Sequence, residues 1–460
     1  MQISHLPEAV TISQLMLKVY SSLSDGVEGC VKCSRLIDSS ARALRCQHRG
    51  QWMEAFAIHD AANSTFGMVK GLRELGFFNT LSIYIQGVSL KFSQEVSEAR
   101  CEAAWRLSQW ESTEFDGKSS EDETEDGVNF HHHMLHALQS LHYQDFGSLQ
   151  QQTHQARQGV IRQLKLSRAE SSSSIYPVLS QLQILSELEA ASECLNDINF
   201  PNKFNTSIQN LEHRWMSKKT LATVEYKYKE LILAARVSTL RSLTPRDKEG
   251  HINRILHTTL ITKSFLSRQN RKLGSSFGSE SALLSASRLN VPQNLAWKTR
   301  LEEAEVAKFH GDIQHSSQIL NSLVEEIQQV APHVEESKIM CRVLNLYGCV
   351  LMDSRTKPPQ TVFQDYFQRA VDILQTCNRD VEANKVLENS YHLWATFGNK
   401  LYQEVHKLLE SDTIQTKKDN IMRSREESSR VRSLLEKINE EKEAKELSKL
   451  CITLSTVWES

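Results

Sequence analysis

Several groups of residues have types and spacings that could do chemistry. Asp145-Phe146-Gly147 matches the magnesium-holding triplet of phosphoryl-transfer enzymes. There the aspartate must stand beside a strand-borne lysine and a His-Arg-Asp loop. Neither companion is in the chain, and the triplet falls between two helical patterns. Gly274-Ser275-Ser276-Phe277-Gly278 fits the G-x-S-x-G nucleophile elbow, which needs a buried strand to present a strained serine. Its surroundings read instead as a Gly/Ser connection. Cys30 and Cys33 form a single C-x-x-C pair, whereas a structural zinc site takes four ligands and a redox pair takes a βαβ setting. His131, His132, His133 and His136 are dense, and His132 with His136 would share a helix face as an i, i+4 metal pair. No third ligand is placed by the spacing, Asn129 makes a helix cap, and exposed histidines at a helix start are the expectation. The sequence thus predicts no catalytic, cofactor-binding or metal-ligating residue.

The elements that carry these groups read as helices throughout. Gly (17) and Pro (8) are scarce among 460 residues, and Pro201, Pro245, Pro292 and Pro358-Pro359 sit at apparent breaks. Small residues recur at fixed offsets. Ala43, Gly50 and Ala55 are spaced seven and then five apart, and Ala304, Gly311 and Ser316 repeat that spacing. A small residue on each helix of a hairpin lets the two cylinders approach closely, and Gly ends the first helix. Apolar stripes follow each turn: Trp52, Phe56 and His59 in one case, Ile313, Leu320, Leu323, Val324 and Ile327 in the other. Degenerate copies are read at Leu72 to Val88, His136 to Ile161 and Leu344 to Leu374. The expected fold is all-α, a tetratricopeptide- or HEAT-like helical repeat solenoid over residues 1–411.

Residues 111–127 are acidic, Ser-rich and nearly free of apolar side chains, which predicts a mobile loop. Asn196 to Thr206 and Leu273 to Gln293 read as connections. Residues 412–460 form the second region, in which Thr413 to Lys449 reads as one long charged helix. The formal charge of -2 offers no cationic field for a phosphate backbone, which argues against nucleic-acid binding. No apolar run approaches the ~18 to 20 residues of a membrane span. Nine Cys are scattered without framework spacing, which points to reduced thiols in an intracellular compartment.

Residues 98–111, EARCEAAWRLSQWE, carry a more specific signal. The core Ala103, Ala104, Trp105, Arg106, Gln109 and Trp110 resembles a hallmark of FAT domains, the helical cradle of phosphatidylinositol-3-kinase-related protein kinases. The flanking GLRELGFFNTLSIYIQGVS, HALQSLHYQDFGSLQQQTHQAR, IYPVLSQLQILSELEAASECL and LAWKTRLEEAEVAKFHGD resemble the ataxia-telangiectasia-mutated (ATM) branch, with likeness from about Gly26 to Leu409. Trp105 and Trp110, five apart, are expected to anchor different neighbouring helices, with Arg106 bridging outward.

The resemblance implies a nuclear serine/threonine kinase acting on Ser-Gln and Thr-Gln sites after DNA double-strand breaks. In such an enzyme ATP and magnesium belong to a kinase domain that would follow this segment, so no cofactor is expected in this chain. The implied partners are that kinase domain and a second copy in a homodimer, with no small-molecule substrate. A fragment, truncated gene model or short isoform is the expected origin of a chain with this content, and exposed repeat ends predict aggregation or partner dependence. Ser-Gln dipeptides at Ser13, Ser93, Ser108, Ser180 and Ser317 are read as chance. The hairpins taken alone fit a second reading equally well, a stand-alone tetratricopeptide-like adaptor that captures peptide or protein partners.

Overall fold

The computed structural model describes residues 15–16, 39–87, 94–111, 130–166, 172–195, 200–218, 226–246, 250–270, 276–330, 334–375 and 381–458. Among these there are helices and turns but no strand. The chain divides into two compact units, Met1–Thr356 and Lys357–Ser460.

The first unit opens with α1 (Ser39–His48), α2 (Trp52–Ala61), α3 (Thr65–Leu75), α4 (Phe78–Gly87) and α5 (Gln94–Leu107). It continues with α6 (Phe130–Tyr143), α7 (Phe146–Leu166), α8 (Ser172–Leu195), α9 (Pro201–Lys218) and α10 (Tyr226–Leu243). A 3-10 turn (Thr244–Arg246) leads to α11 (His251–Gln269), α12 (Ser276–Ser287), α13 (Gln293–His310), α14 (Ile313–Gln328) and α15 (Val334–Ser354). Most helices pack on their chain neighbours, and α8 on α10, α11 on α13 and α13 on α15 add the next-but-one contacts of stacked hairpins. A core running from Cys101 to Ala286 joins α5 through α12. A smaller one, including Val69, Leu81 and Ala103, joins α3, α4 and α5.

The hairpin turns show why the small residues recur. Gly50, Gly76 and Gly311 have φ of 73°, 78° and 85°, the left-handed region that glycine enters without a Cβ penalty. Ala43, Ala55, Ala304 and Ser316 are completely buried, and Ser316 Oγ donates to the Ala304 carbonyl 2.8 Å away. That bond is possible only because neither residue has a bulky side chain to hold α13 and α14 apart. Asp312 caps α14 by accepting from the His315 amide at 3.0 Å, and Leu320, Leu323 and Ile327 form its buried stripe.

Two expected connections differ from the structure. The stretch Leu273 to Gln293 contains α12, whose Ala282, Leu283 and Ala286 are buried; its serines have moderate helix propensity, and packing against α11 decides the outcome. Asn196 to Thr206 contains the start of α9, with Pro201 at the first helical residue, where its missing N–H costs no intrahelical bond.

In the second unit, α16 (Pro359–Val362), a π turn (Phe363–Gln368) and α17 (Arg369–Gln375) precede α18 (Val381–Leu409) and α19 (Asp412–Trp458). Phe363 and Phe367 pack on Trp394 and Phe397 of α18. No helix among the described residues is long and apolar enough to cross a membrane.

Candidate functional site: a buried arginine clamp

Trp105 and Arg106 lie on the last turns of α5, where Ala103 and Ala104 let neighbouring helices come close; all three of Ala103, Ala104 and Trp105 are buried. Arg106 points inward. Its Nε donates to Glu102 Oε1, one helical turn earlier, at 2.9 Å. Its Nη1 and Nη2 donate to Glu230 Oε1 and Oε2 of α10, at 2.8 and 3.1 Å. The guanidinium carbon sits 4.3 Å above the Phe78 ring and 5.1 Å from that of Trp105. Five donors in a rigid fork, flanked by aromatic faces, suit this place as an ammonium could not.

The network extends at both ends. Arg73 Nε of α3 donates to Glu102 Oε2, and Lys263 Nζ of α11 lies 3.1 Å from Glu230 Oε1. Trp105 Nε1 donates to His131 Nδ1 of α6 at 3.3 Å, and Arg73 Nη2 is 3.1 Å from His131 Nε2. Both ring nitrogens therefore face donors, an arrangement that favours the neutral ring. Helices α3, α4, α5, α6, α10 and α11 meet here.

Burial opposes ionisation of Glu102, but His131, Arg106 and Arg73 outweigh it and hold the carboxyl at about 2. Near neutral pH the two guanidiniums supply that field, because His131 is itself uncharged: burial lowers it to about 4, against the pull of Glu102 and with the push of Arg73. For Glu230, burial is likewise overcome, by Arg106 and Lys263, to about 2. Arg106 is held above its ordinary range by Glu230 and Glu102 despite its burial. Carboxylates fixed in the ionised form and a neutral imidazole have no proton to exchange near pH 7. What this arrangement does is lock helices together.

The same device recurs. Arg236 of α10 grips Glu187 of α8 through two 2.7 Å bonds and lies 5.1 Å from the Trp215 ring. Arg268 of α11 grips Glu302 of α13 at 3.2 and 3.1 Å, with Phe265 at 5.5 Å. In each, a planar fork meets a carboxylate bidentately beside an aromatic ring. Sequence reasoning missed Glu102, Glu187, Glu230 and Glu302. The available signal was a charged residue inside an apolar helical run, as with Arg236 in LILAARVSTL.

Trp110 departs from expectation. It stacks on His142 at 5.9 Å, and Trp105 stacks on His131 at 6.2 Å, so both lean on α6. The reason is that α5 ends at Leu107, and Ser108 turns the chain at φ 58°; the helical spacing of five no longer applies. Arg106 likewise bridges inward rather than outward. Gln109 is exposed, its Oε1 3.5 Å from Ser82 Oγ.

The chemistry-like motifs fall elsewhere. The left-handed residue of the α6–α7 turn is Gln144, at φ 64°, and Asp145 Oδ1 accepts from the Ser148 amide at 3.1 Å, the geometry of a helix cap. Ser276 begins α12, while 274 and 275 lie outside the described residues. His131 is buried rather than exposed; His132 and His136 do share a face, with ring centroids 4.4 Å apart. No group of three or more His, Cys, Asp or Glu able to hold a metal occurs among the described residues. Cys30, Cys33 and residues 112–127 of the acidic stretch lie outside the described residues. Ser180 is buried and donates to the Tyr176 carbonyl. Cys46, Cys101, Cys194, Cys341 and Cys349 are buried.

Comparison with known proteins gives the arrangement a family. The chain is similar to "Serine-protein kinase ATM" of Sus scrofa, 25% identical over 443 residues, covering 91% of this chain and 14% of that protein. It thus spans a small part of its relative's length. A family model described as "FAT domain" matches residues 97–432, beginning within α5 and taking in Trp105, Arg106 and every clamp carboxylate. This helical repeat chain belongs to the FAT domain family.

Proposed function

We propose that this chain is the non-catalytic helical scaffold of an ATM-type serine/threonine protein kinase that signals DNA double-strand breaks in the nucleus. In that role it clasps and regulates a kinase domain, which itself holds ATP and magnesium and phosphorylates Ser-Gln and Thr-Gln sites, and it contributes to contacts with a second copy. The observation that supports this reading is the Arg106 clamp. Trp105 and Arg106 of the signature core sit in a network that joins six helices, so the signature encodes stiffness. A stiff segment is what a scaffold needs if a displacement at one end is to reach a domain held at the other.

The test is biochemical. The purified chain incubated with ATP, magnesium and a Ser-Gln peptide is expected to transfer no phosphate, and an ATM-type kinase domain expressed with it is expected to co-purify. Phosphorylation by the chain alone, or a kinase domain that never associates with it, overturns the proposal.

A further inference from the structure

A groove beside the clamp runs from the α3–α4 turn to α13 and the start of α14. Its charged groups are largely matched within the chain. Arg73, Arg106 and Lys263 each have a carboxylate, and Glu280 and Glu303 face His310 and His315. Arg241 of α10 lines the same groove and is half-buried, with no anion or hydrogen-bond acceptor among the described residues. Burial lowers its affinity for its proton, with no countercharge among the described residues to offset the loss of water. A guanidinium stripped of part of its hydration and given no acceptor favours an incoming anion. Apolar contact is available close by: Leu231 and Val306 line the groove, and Leu284 lines it while 56% exposed.

We propose that this groove binds a protein segment that carries a carboxylate among apolar residues, with the carboxylate seated on Arg241. A single unmatched cation suits one acidic side chain. Glu280 and Glu303 on the walls repel a polyanion, and the apolar residues give a nucleic-acid backbone nothing to hold.

Fluorescence anisotropy with the full chain tests this. The probes are a fluorescein-labelled peptide carrying a single Glu among Leu and Ser (the Glu/Leu peptide), its counterpart with Gln in place of that Glu (the Gln/Leu peptide), and a labelled single-stranded DNA. The Glu/Leu peptide is expected to bind about tenfold more tightly than the Gln/Leu peptide, the order of one charge-assisted hydrogen bond. Arg241→Gln is expected to bring the two peptides to parity, and Arg241→Lys to keep part of the preference. Leu284→Asn, at an exposed position that tolerates substitution, is expected to weaken both peptides and serves if the Arg241 variants lose their fold. Equal binding of the two peptides by the native chain overturns the proposal. So does an unchanged preference in folded Arg241→Gln, peptide binding unaffected by Leu284→Asn, or tighter binding of the DNA.

Discussion

Arg106 and Glu230 stand 124 residues apart in the chain and meet through two parallel hydrogen bonds of 2.8 and 3.1 Å, between helices that are not chain neighbours. In a repeat protein most contacts are local, so a pair like this couples modules that otherwise communicate only step by step. Arg106 is buried and Glu230 largely so, and removing one partner leaves the other with one countercharge fewer: Glu230 keeps Lys263, and Arg106 keeps Glu102. Arg106→Ala and Glu230→Ala are each expected to destabilise the first unit by about 1.5 to 3 kcal/mol, the order of a charge-assisted hydrogen bond. The double variant is expected to cost less than the sum of the two. Urea denaturation followed by circular dichroism measures this, and additive losses would show that the residues do not interact. Arg106→Lys, which keeps charge but loses the fork, is expected to recover only part of the stability.

Acid lability follows from the same site together with two further histidines, His132 and His257. The His131, His132 and His257 side chains sit at about 4 in the fold, all lowered by burial first, from an ordinary 6.5. An unfolded chain therefore binds more protons than the folded one between those values, and stability falls as pH drops from about 6.5 toward 4. Glu102 and Glu230, held at about 2 against an ordinary 4.5, add a further loss as pH falls from about 4.5 toward 2. The melting temperature should be level from about pH 7 to 8 and decline in two overlapping stages below that. His131→Gln should flatten part of the upper stage and shrink the Glu102 part of the lower one while leaving that of Glu230, a difference that thermal melts across pH will show.

Much of the fold was readable from sequence because its determinants are local. The triplets Ala43, Gly50, Ala55 and Ala304, Gly311, Ser316 lie within single hairpins, and the φ of 73° and 85° at their glycines needs no distant partner. Trp105 and Arg106 stood out by resemblance, but their purpose did not. Glu230 leaves no trace near Arg106, since a contact across 124 residues has no period. Trp110 was misplaced by assuming helix continued through Ser108, a residue at φ 58° that nothing in its type announced. Helix α12 was hidden by serines that its partner helices tolerate because Ser264 and Ser279 bond each other at 2.7 Å.

The hairpin turns separate backbone strain from packing. A Cβ added at Gly311 would meet nothing within 4 Å, yet φ there is 85°. Gly311→Ala should therefore cost about 1 to 2 kcal/mol from conformation alone. Ser316→Ala removes a buried bond to Ala304 and should cost about 0.5 to 1.5 kcal/mol. Ser316→Leu must push α13 and α14 apart and should exceed both. Equal losses in all three variants would show that close helix approach is not what these positions select.

Asp145 offers a test between two roles for one side chain. As a magnesium ligand in a kinase-like triplet it would tolerate Asn and Ser poorly, because a neutral oxygen holds a divalent cation far more weakly than a carboxylate. As the cap of α7, accepting from the Ser148 amide at 3.1 Å, it should tolerate both, since Asn, Asp and Ser cap about equally well. Asp145→Asn and Asp145→Ser are expected to melt close to the native chain. Asp145→Ala should lose about 1 kcal/mol and leave the first turn of α7 less protected in amide exchange. Magnesium should shift none of the four melting curves. A magnesium-dependent rise in melting temperature that Asp145→Asn abolishes would overturn the capping assignment and revive the triplet as a metal site.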